Sequence, residues 1–371
     1  MKKYLISGIP PSEGGVGNLM KSLVQLAAEN SYEVVYPKHT NKSLRLLKKK
    51  PYLLVKEVAN RLLAKLQFVY KLSIITKSEI ILIHPQTIGF KRFIKLIKFN
   101  KLVKIYVMDN SFFCIKSYNV LDGAECTKCL NNLDNCDKAC QPFPIALDKN
   151  KNLNYLKEYK KQSEKIHFYA QNRSQAALLK EHFGHNIKIQ VIGMKTAETF
   201  GDVKGKGTQY DVVFHGAGNE AKGLYYFISL AEALPDLSFF IPVDLTTIKK
   251  VTLTTLPSNI VYTNMSWDTG LKEIVINAKL VLCPSLWSAP VEGALLKSIY
   301  YNGNVGVVQT AYGFANDIED GTVLKLSDDI NIAKDQVINF LNKHPNYTQV
   351  SKDWLNSFFK NCNIQKLFNH D

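Results

Sequence analysis

Two glycine-bearing segments of the sequence have the residue types of phosphate-binding loops, and the first is Gly14-Gly15-Val16-Gly17. It follows a short apolar run and opens an amphipathic stretch. Glycine lets the backbone approach a ligand closely, and the free N–H groups at a helix N-terminus attract anions. The dinucleotide fingerprint is incomplete, and Tyr36-Pro37-Lys38 stands where it has an acidic residue, so the pattern disfavours NAD. The alternative is a glycine turn without a ligand.

The second segment is His215-Gly216-Ala217-Gly218, followed by Lys222-Gly223. A glycine loop with a lysine at the start of a helix suits a diphosphate, because the backbone N–H groups and the ammonium group both attract its charge. A Walker motif would require Gly-Lys-Ser or Gly-Lys-Thr, which is absent here. We predict that Gly216 and Lys222 bind phosphate, and a solvated lysine at a helix start is the alternative.

A third segment places Cys283-Pro284-Ser285 at the end of an apolar run, with Glu292 opening the next helix. A carboxylate in this position can accept two hydrogen bonds from the diol of a ribose. We therefore predict that Ser285 and Glu292 contribute to a nucleotide site. The alternative is that Glu292 only complements the dipole of the helix that it opens.

Cysteines form the sharpest local pattern, because five of the seven lie within residues 114–140. Four thiolates suit a closed tetrahedral zinc site of structural type, whereas a reducing compartment disfavours a disulfide framework. We predict structural zinc, with Cys114 as a substitute ligand, and reduced loop thiols are the alternative. The predicted ligands are Cys126, Cys129, Cys136 and Cys140.

The segments that must position these residues alternate between short apolar runs and amphipathic stretches, which is typical of parallel α/β architecture. The pattern stops at a polar linker near 196–209 and then restarts, so we predict two domains, 1–195 and 209–350, and a terminal helix at 351–371 that packs back on the first. An irregular insertion spans 114–145. The predicted strands are 3–8, 33–36, 80–84, 103–108, 166–170, 211–216, 238–241, 259–262, 279–283 and 305–309, and the predicted helices are 17–30, 43–72, 90–100, 222–234, 268–277 and 291–302.

The net charge of +15 predicts an anionic partner. The cations concentrate in 42–72 and 91–104, where apolar residues interleave with them. Such stretches suit peripheral docking on an anionic membrane face or binding of a lipid-diphosphate-linked acceptor, and a core helix with a solvated lysine face is the alternative. The sequence has no recognised nucleic-acid module, so we expect no nucleic-acid partner. It has no membrane span and no export signal, so we expect a cytoplasmic protein that is peripheral on the inner face of the cell membrane.

The three motifs, in this order, resemble the retaining glycosyltransferases of the two-domain GT-B fold, family 4 in the usual classification. Two departures from that family are Ala217, where it has an arginine, and a broken Glu-x7-Glu pair, with Ala289 and Lys297 where the acids would fall. The block from Pro290 to Ser298 resembles a bacterial subgroup linked to surface polysaccharide synthesis. The other matching residues are Gly14-Gly15-Val16-Gly17, Lys222-Gly223, Leu256-Pro257-Ser258-Asn259-Ile260-Val261-Tyr262, Pro284-Ser285, Gly313, Ile318 and Asp320-Gly321.

The resemblance implies two Rossmann-like domains facing each other across a cleft, a UDP- or GDP-sugar donor, and no requirement for a catalytic metal. It also implies retention of configuration, in which an acceptor hydroxyl lies close to the departing phosphate and Lys222 stabilises the developing charge. Related transferases have comparable cysteine-rich insertions near the acceptor side.

Three further polar residues follow predicted strands of the first domain, where parallel sheets deliver ligand groups. We predict His84 and Asp109 as catalytic residues together with Glu292, and Arg173 as a diphosphate ligand from across the cleft, with ordinary loop residues as the alternative. The predicted activity is a hexosyltransferase that moves a sugar to a lipid-linked saccharide in polysaccharide or lipopolysaccharide O-antigen biosynthesis. The alternatives are a sugar-nucleotide epimerase of the same architecture and a zinc-containing nucleic-acid-binding protein.

Overall fold

Two parallel six-stranded sheets organise the chain, one in each half of the sequence. The structure is a computed structural model that describes residues 1–12, 15–38, 51–194, 201, 209–249, 256–343 and 347–369. Alternate residues of a strand enter different apolar clusters, as Tyr4 and Leu5 do in the first sheet and Val212 and Val213 in the second. Each sheet is therefore buried on both faces, as parallel sheets generally are.

The first sheet has the strand order β2-β1-β3-β4-β7-β8, and all its pairs are parallel. The central strand β3 is buried at every residue, which explains its continuous apolar run. The strands are β1 (Lys3–Ser7), β2 (Glu33–Val35), β3 (Glu79–Ile83), β4 (Leu102–Tyr106), β7 (Ile166–Ala170) and β8 (Lys188–Val191), and the helices of this half are α1 (Gly15–Glu29), α2 (Pro51–Ile74), α3 (Pro85–Ile88), α4 (Phe90–Phe99), α5 (Lys128–Asn131), α6 (Lys149–Lys161) and α7 (Arg173–Phe183).

The second sheet has the strand order β11-β10-β9-β12-β13-β14, again with parallel pairing throughout. Gly306 in β13 is required by close packing, because a Cβ there would lie 2.3 Å from a side-chain carbon of Leu282. The strands are β9 (Val212–Phe214), β10 (Phe239–Ile241), β11 (Ile260–Tyr262), β12 (Leu280–Cys283), β13 (Val305–Val308) and β14 (Leu324–Leu326), and the helices are α8 (Leu224–Ala233), α9 (Leu245–Lys249), α10 (Leu271–Asn277), α11 (Gly293–Tyr301), α12 (Ile330–Lys343) and α13 (Thr348–Asn361).

The end of the chain contacts both halves. Helix α13 packs its apolar face, including Leu355, on the core of the second sheet. The residues after it return to the first sheet, where Leu367 is fully buried and Phe368 meets the ring of Tyr32 edge-on at 5.2 Å. In the described part of the chain, no helix is long and apolar enough to cross a bilayer.

The insertion contains only short elements. An antiparallel hairpin pairs β5 (Val120–Leu121) with β6 (Ala124–Glu125) through a turn in which Asp122 and Gly123 have positive φ angles. Residues 114–145, predicted as an irregular insertion, thus lie between β4 and β7 and contain no long helix or strand.

The four predicted zinc ligands are free thiols in the structure. Among the described residues, which include the whole insertion, no group of three or more His, Cys, Asp or Glu side chains is arranged to hold a metal ion. Instead, Cys114, Cys129 and Cys140 are buried in the apolar core of the first half, where free cysteine packs as a small hydrophobic residue. Cys126 and Cys136 are half-buried free thiols beside them.

Candidate functional site

The predicted site residues lie at the carboxyl ends of strands where the strand order of each sheet reverses. In the first sheet the reversal falls between β1 and β3, and His84 directly follows β3. In the second it falls between β9 and β12, which are followed by His215 and Pro284. Ligands of open α/β sheets bind at such switch points, so the topology alone selects these two loop clusters.

Lys222 and Glu292 form an ion pair in the second half, with Nζ 2.7 Å from Oε1. The same carboxylate oxygen accepts hydrogen bonds from Ser285 Oγ at 2.8 Å and from Trp287 Nε1 at 3.3 Å. The ammonium group also lies 4.9 Å above the centre of the Trp287 ring, a cation–π distance. An incoming diphosphate would therefore compete with Glu292 for Lys222.

Close backbone packing holds the two loops of this pair together. Gly223 has a φ of +75°, and a Cβ at that position would lie 1.9 Å from the carbonyl oxygen of Pro284, so only glycine fits. The backbone N–H of Leu286 donates to the carbonyl of Ala221 at 2.9 Å. The loop that contains Lys222 is thereby fixed against the loop that contains Ser285.

His215 lies beside this pair as a neutral, buried side chain. Its ring stacks on Trp267 at 5.2 Å with an interplanar angle of 3°, and its Nδ1 lies 2.8 Å from Ser298 Oγ. Burial, reinforced by the charge of Lys297, lowers the pKa of His215 to about 3. The imidazole is therefore uncharged at neutral pH, and it lies at the start of the glycine loop that begins with Gly216.

His84 and Asp109 form a second buried pair in the first half, with His84 Nε2 3.2 Å from Asp109 Oδ2. His84 adopts a left-handed conformation with a φ of 53°, which turns the chain from β3 into α3. The other ring nitrogen, Nδ1, lies 3.2 Å from Thr87 Oγ1. Gly8, which follows β1, lets this turn pack closely, since a Cβ there would lie 2.2 Å from the backbone of Thr87.

The electrostatics of the pair favour its charged form. Burial opposes protonation of His84, but the carboxylate of Asp109 outweighs it and raises the pKa of the imidazole above its ordinary value. Burial would likewise raise the pKa of Asp109, but His84 and the hydrogen bonds from Ser111 lower it. The pair therefore keeps its imidazolium and carboxylate form to a higher pH than an isolated histidine would keep its proton.

Tyr118 of the insertion connects the two pairs. Its ring lies 5.6 Å from Lys222 Nζ and meets Trp287 edge-on at 4.7 Å. Burial, together with the carboxylates of Asp109 and Glu292, raises the pKa of Tyr118 to about 12. The phenol is therefore neutral, and the carboxylates of both pairs affect its pKa. Predicted residues of the two halves thus lie near Tyr118, a residue that the sequence did not indicate.

The insertion also contacts the second half through polar groups. Asn119 exchanges two hydrogen bonds with Ser288, from its Nδ2 to Ser288 Oγ at 2.8 Å and from Ser288 N to its Oδ1 at 3.1 Å. Glu125 accepts hydrogen bonds from Ser288 Oγ and from the backbone N–H groups of Ala311 and Tyr312. The hairpin is thus fixed beside the loops that follow β12 and β13.

A cavity of 420 Å³ opens between the hairpin and those loops. Its volume is in the range of small-molecule sites. The side-chain oxygen of Thr310, which lines it, is buried and has no hydrogen-bond partner among the described residues. Its other lining residues are Ala124, Glu125, Leu286, Gln309, Ala311, Asn316 and Asp328.

Three other predicted ligand residues have different surroundings. Arg173 is 84% exposed in its side chain and lies 3.5 Å from Asp317, so it is held at the surface. Gly17 is buried against Ser12, where a Cβ would clash, and Gly15 faces open space at the start of α1. Gly14 lies outside the described residues.

Comparisons with known proteins identify the fold. No protein-family model and no curated protein matches the sequence. Among solved structures, sucrose-phosphate synthase from Thermosynechococcus elongatus is 12% identical, with a TM-score of 0.60 over 99% of this chain and 96% of that one. A UDP-forming α,α-trehalose-phosphate synthase from Burkholderia vietnamiensis (11%, TM-score 0.56, 99% and 94%) and HepE of Anabaena in complex with UDP (11%, 0.56, 99% and 97%) are also similar. The chain therefore has the GT-B fold, which confirms the predicted fold.

Proposed function

We propose that this chain is a glycosyltransferase that uses a nucleotide-sugar donor. The observation that carries the proposal is the meeting of two charged pairs, Lys222 with Glu292 and His84 with Asp109, at the switch points of two facing sheets around Tyr118. One structural neighbour is described as UDP-forming and another as a UDP complex, which favours a uridine nucleotide.

In the proposed reaction, the bond between the anomeric carbon and the β-phosphate oxygen breaks, and its electron pair stays on the departing diphosphate. Lys222 exchanges Glu292 for this diphosphate, and Glu292 becomes free to accept hydrogen bonds from hydroxyl groups of the donor. The acceptor hydroxyl forms the new bond to the anomeric carbon, and its proton passes to the departing phosphate oxygen. This path leads to retention of configuration.

His84 has an electrostatic role in this proposal. Because Asp109 raises the pKa of the imidazole, its protonated form persists to a higher pH than that of an ordinary histidine, and this form is unsuited to remove a proton. Both ring nitrogens already have partners, Asp109 and Thr87, so the imidazolium acts through its charge and stabilises the negative charge that develops on the departing diphosphate. Positioning therefore contributes more than base catalysis.

The acceptor that we propose is a lipid-linked saccharide on an anionic membrane face, as in surface polysaccharide biosynthesis. The net charge of +15 and the basic helices of the first half support this choice. The sugar transferred and the linkage formed follow from experiment.

A thermal-shift panel of UDP, GDP, UDP-glucose, UDP-N-acetylglucosamine and GDP-mannose tests the donor. A ligand at about 100 times its Kd adds roughly 2.7 kcal/mol to stability, so the cognate nucleotide should raise the Tm clearly. Lys222→Met should weaken binding of that nucleotide about tenfold or more, because it removes a charge-assisted contact while it keeps the stem of the side chain.

Lys279→Met is the matched control. Lys279 also forms a 2.7 Å ion pair, with Asp211, but this pair lies at the amino-terminal ends of β9 and β12 and not at their carboxyl ends. This substitution should leave nucleotide affinity unchanged. If none of the nucleotides shifts the Tm of the unsubstituted protein, or if Lys222→Met binds as tightly as Lys279→Met, the donor site is assigned wrongly. Epimerised donor formed without any acceptor would identify the epimerase instead.

A further inference from the structure

We propose that two hollows on either side of helix α4 bind one acceptor molecule, a saccharide joined through phosphate to a lipid chain. The inference rests on the proposed function, which requires an acceptor near His84. The hollows share Lys91 and Arg92 as lining residues, so a single ligand can extend from one to the other. Each hollow has the chemistry of a different part of such a molecule.

The first hollow, a cavity of 180 Å³, has polar groups that suit a saccharide. Gln86 and Asn152 line it and are only 5% and 3% exposed. The oxygens Gln86 Oε1 and Asn152 Oδ1 are buried without a hydrogen-bond partner among the described residues. Two unsatisfied acceptors in one cavity are costly unless a ligand supplies donors, and the hydroxyl groups of a sugar are such donors.

This cavity lies beside the catalytic pair of the first half. Gln86 is two residues after His84, in helix α3 at the carboxyl end of β3. Its Nε2 donates to Ser117 Oγ and to the carbonyl of Phe143 at 3.3 Å, which fixes the direction of its free oxygen. A sugar bound here would therefore be next to the pair of His84 and Asp109.

The wall between the hollows suits a phosphate. Lys91 and Arg92 lie in the first turn of α4, which contains no acidic residue. The N-cap of this ten-residue helix is Gly89, which provides no side-chain cap, and it also lines the first hollow. Lys95 lines the second hollow and Lys151 the first, so cations face the junction from both sides.

The second hollow is an apolar groove of 520 Å³ between α2 and α4, with the dimensions to hold part of a hydrocarbon chain. Its apolar lining residues are Val69, Leu72, Ile75, Leu96 and Phe99. Helix α2 continues this apolar surface along its outer side, where large hydrophobic residues at every fourth position are exposed. These residues are Val58, Leu62, Leu66, Tyr70 and Ile74.

A lipid explains this surface better than a second copy of the chain does. Lys56, Lys65 and Lys71 of α2 and the cations of α4 flank the apolar residues, so two such faces would repel each other. A bilayer that contains a lipid phosphate supplies hydrocarbon and negative charge together.

Co-sedimentation with vesicles tests the proposal. Phosphatidylcholine vesicles doped with undecaprenyl phosphate should bind the protein about tenfold more strongly than vesicles doped with undecaprenol, because only the former supplies the phosphate. The double variant Lys91→Gln/Arg92→Gln should lose this preference. The double variant Lys165→Gln/Lys188→Gln should keep it, since these exposed cations lie at the amino-terminal ends of β7 and β8 and line neither hollow.

The saccharide end has its own variant, Asn152→Leu. Replacing an unsatisfied buried amide with an apolar side chain of similar size should leave the Tm unchanged or raise it. The unsubstituted protein should bind vesicles with N-acetylglucosamine-diphospho-undecaprenol more tightly than vesicles with undecaprenyl phosphate, and Asn152→Leu should remove that increment. A fall in Tm together with an unchanged increment would overturn the role of Asn152.

UDP binding, measured on the same preparations, separates this proposal from the proposed function. Equal binding of undecaprenyl phosphate and undecaprenol vesicles, with UDP binding intact, would reject the lipid-phosphate site alone. Failure to bind any nucleotide, with the lipid preference intact, would reject the donor function alone. Binding to phosphatidylglycerol vesicles that equals binding to undecaprenyl phosphate vesicles would reduce the site to a general anionic membrane surface and would also overturn the proposal.

Discussion

At the scale of single residues, the two charged pairs differ in how deeply their side chains are buried. Lys222 and Glu292 are partly exposed and can exchange each other for a ligand, whereas His84 and Asp109 are enclosed and hold their charges against desolvation. The first pair suits a ligand that enters and leaves with each turnover. In the proposed function, the second pair contributes its charge beside the departing diphosphate.

The charge of His84 gives a pH prediction. Because the pKa of His84 is raised in the folded protein, the stability that protonation contributes is fully present below about pH 6.5 and is lost as the pH rises through the raised pKa. If the imidazolium is the active form, activity should fall along the same alkaline limb. In Asp109→Asn the carboxylate no longer outweighs burial, so we expect the pKa of His84 and the alkaline limb of kcat to move to lower pH.

Titration of the histidine ring protons by NMR measures this directly. His182 is the internal control, because burial lowers its pKa to about 4 and its Nδ1 contacts the carbonyl of Leu130, away from Asp109. The titration of His182 should be the same in both proteins. An unchanged alkaline limb in Asp109→Asn, despite a lowered His84 pKa, would mean that the charge of His84 has no part in the reaction.

Sequence reasoning predicted those residues of the candidate site that lie in loops with glycine or proline, and it did not predict those that reach the candidate site from elsewhere in the chain. Lys222, Ser285 and Glu292 follow apolar strand-like runs within marked turns, so their positions could be predicted. Tyr118 and Asp317 have no local signal, since each becomes important only through a partner in the other half of the chain. Such long-range contacts depend on the packing of the two halves, which no short pattern encodes.

At the scale of elements, helix α7 is capped from the other half of the molecule. Its own N-cap, Asn172, accepts a hydrogen bond from the backbone of Gln175. Asp317 then accepts from the backbone N–H groups of Arg173 at 2.9 Å and Ser174 at 3.0 Å. A carboxylate on the first turn satisfies free N–H groups and complements the helix dipole, so this single side chain joins two halves through one helix end.

We expect Asp317→Ala to reduce the free energy of unfolding by about 1–2 kcal/mol, the usual cost of losing a cap. Chemical denaturation measures the change, and hydrogen exchange at the first turn of α7 should increase. Asp320→Ala is the control from the same region, because Asp320 is 94% exposed in its side chain and its carboxylate pairs with Lys325 rather than with α7. Equal effects of the two substitutions would show that the contact of Asp317 with α7 contributes nothing.

The elements that could be predicted are those with strong apolar patterns. All ten predicted strands are present with small shifts of their ends. The edge strands β8 and β14 were missed because both are half-exposed and neither has a continuous apolar run. Helix α6 was missed for a similar reason, since its sequence is dominated by lysine and asparagine and only Asn152, Leu156 and Tyr159 are buried. Part of the predicted helix 43–72, residues 43–50, and most of the linker 196–209 lie outside the described residues.

At the scale of the whole molecule, each half has its own apolar core, and the insertion belongs to both. Val120 is buried in the core of the second half, whereas Cys129 and Leu130 are buried in that of the first. The polar contacts of Glu125 and Asp317 reinforce this connection from either side. The insertion is thus a structural link between the two halves.

Loss of these two carboxylates, which are among the polar links between the halves, should therefore weaken the coupling of the halves. We expect the unsubstituted protein to unfold in one calorimetric transition that UDP shifts as a whole, because ligand binding to one of two coupled units stabilises both. In Glu125→Ala/Asp317→Ala, two transitions should appear, and UDP should raise only the one that belongs to the second half, where Lys222 lies. The double variant Glu273→Ala/Asp320→Ala, which removes two exposed carboxylates of the second half, should behave like the unsubstituted protein. A single transition that UDP still shifts in full in Glu125→Ala/Asp317→Ala would mean that apolar contacts such as that of Val120 are sufficient to couple the two halves.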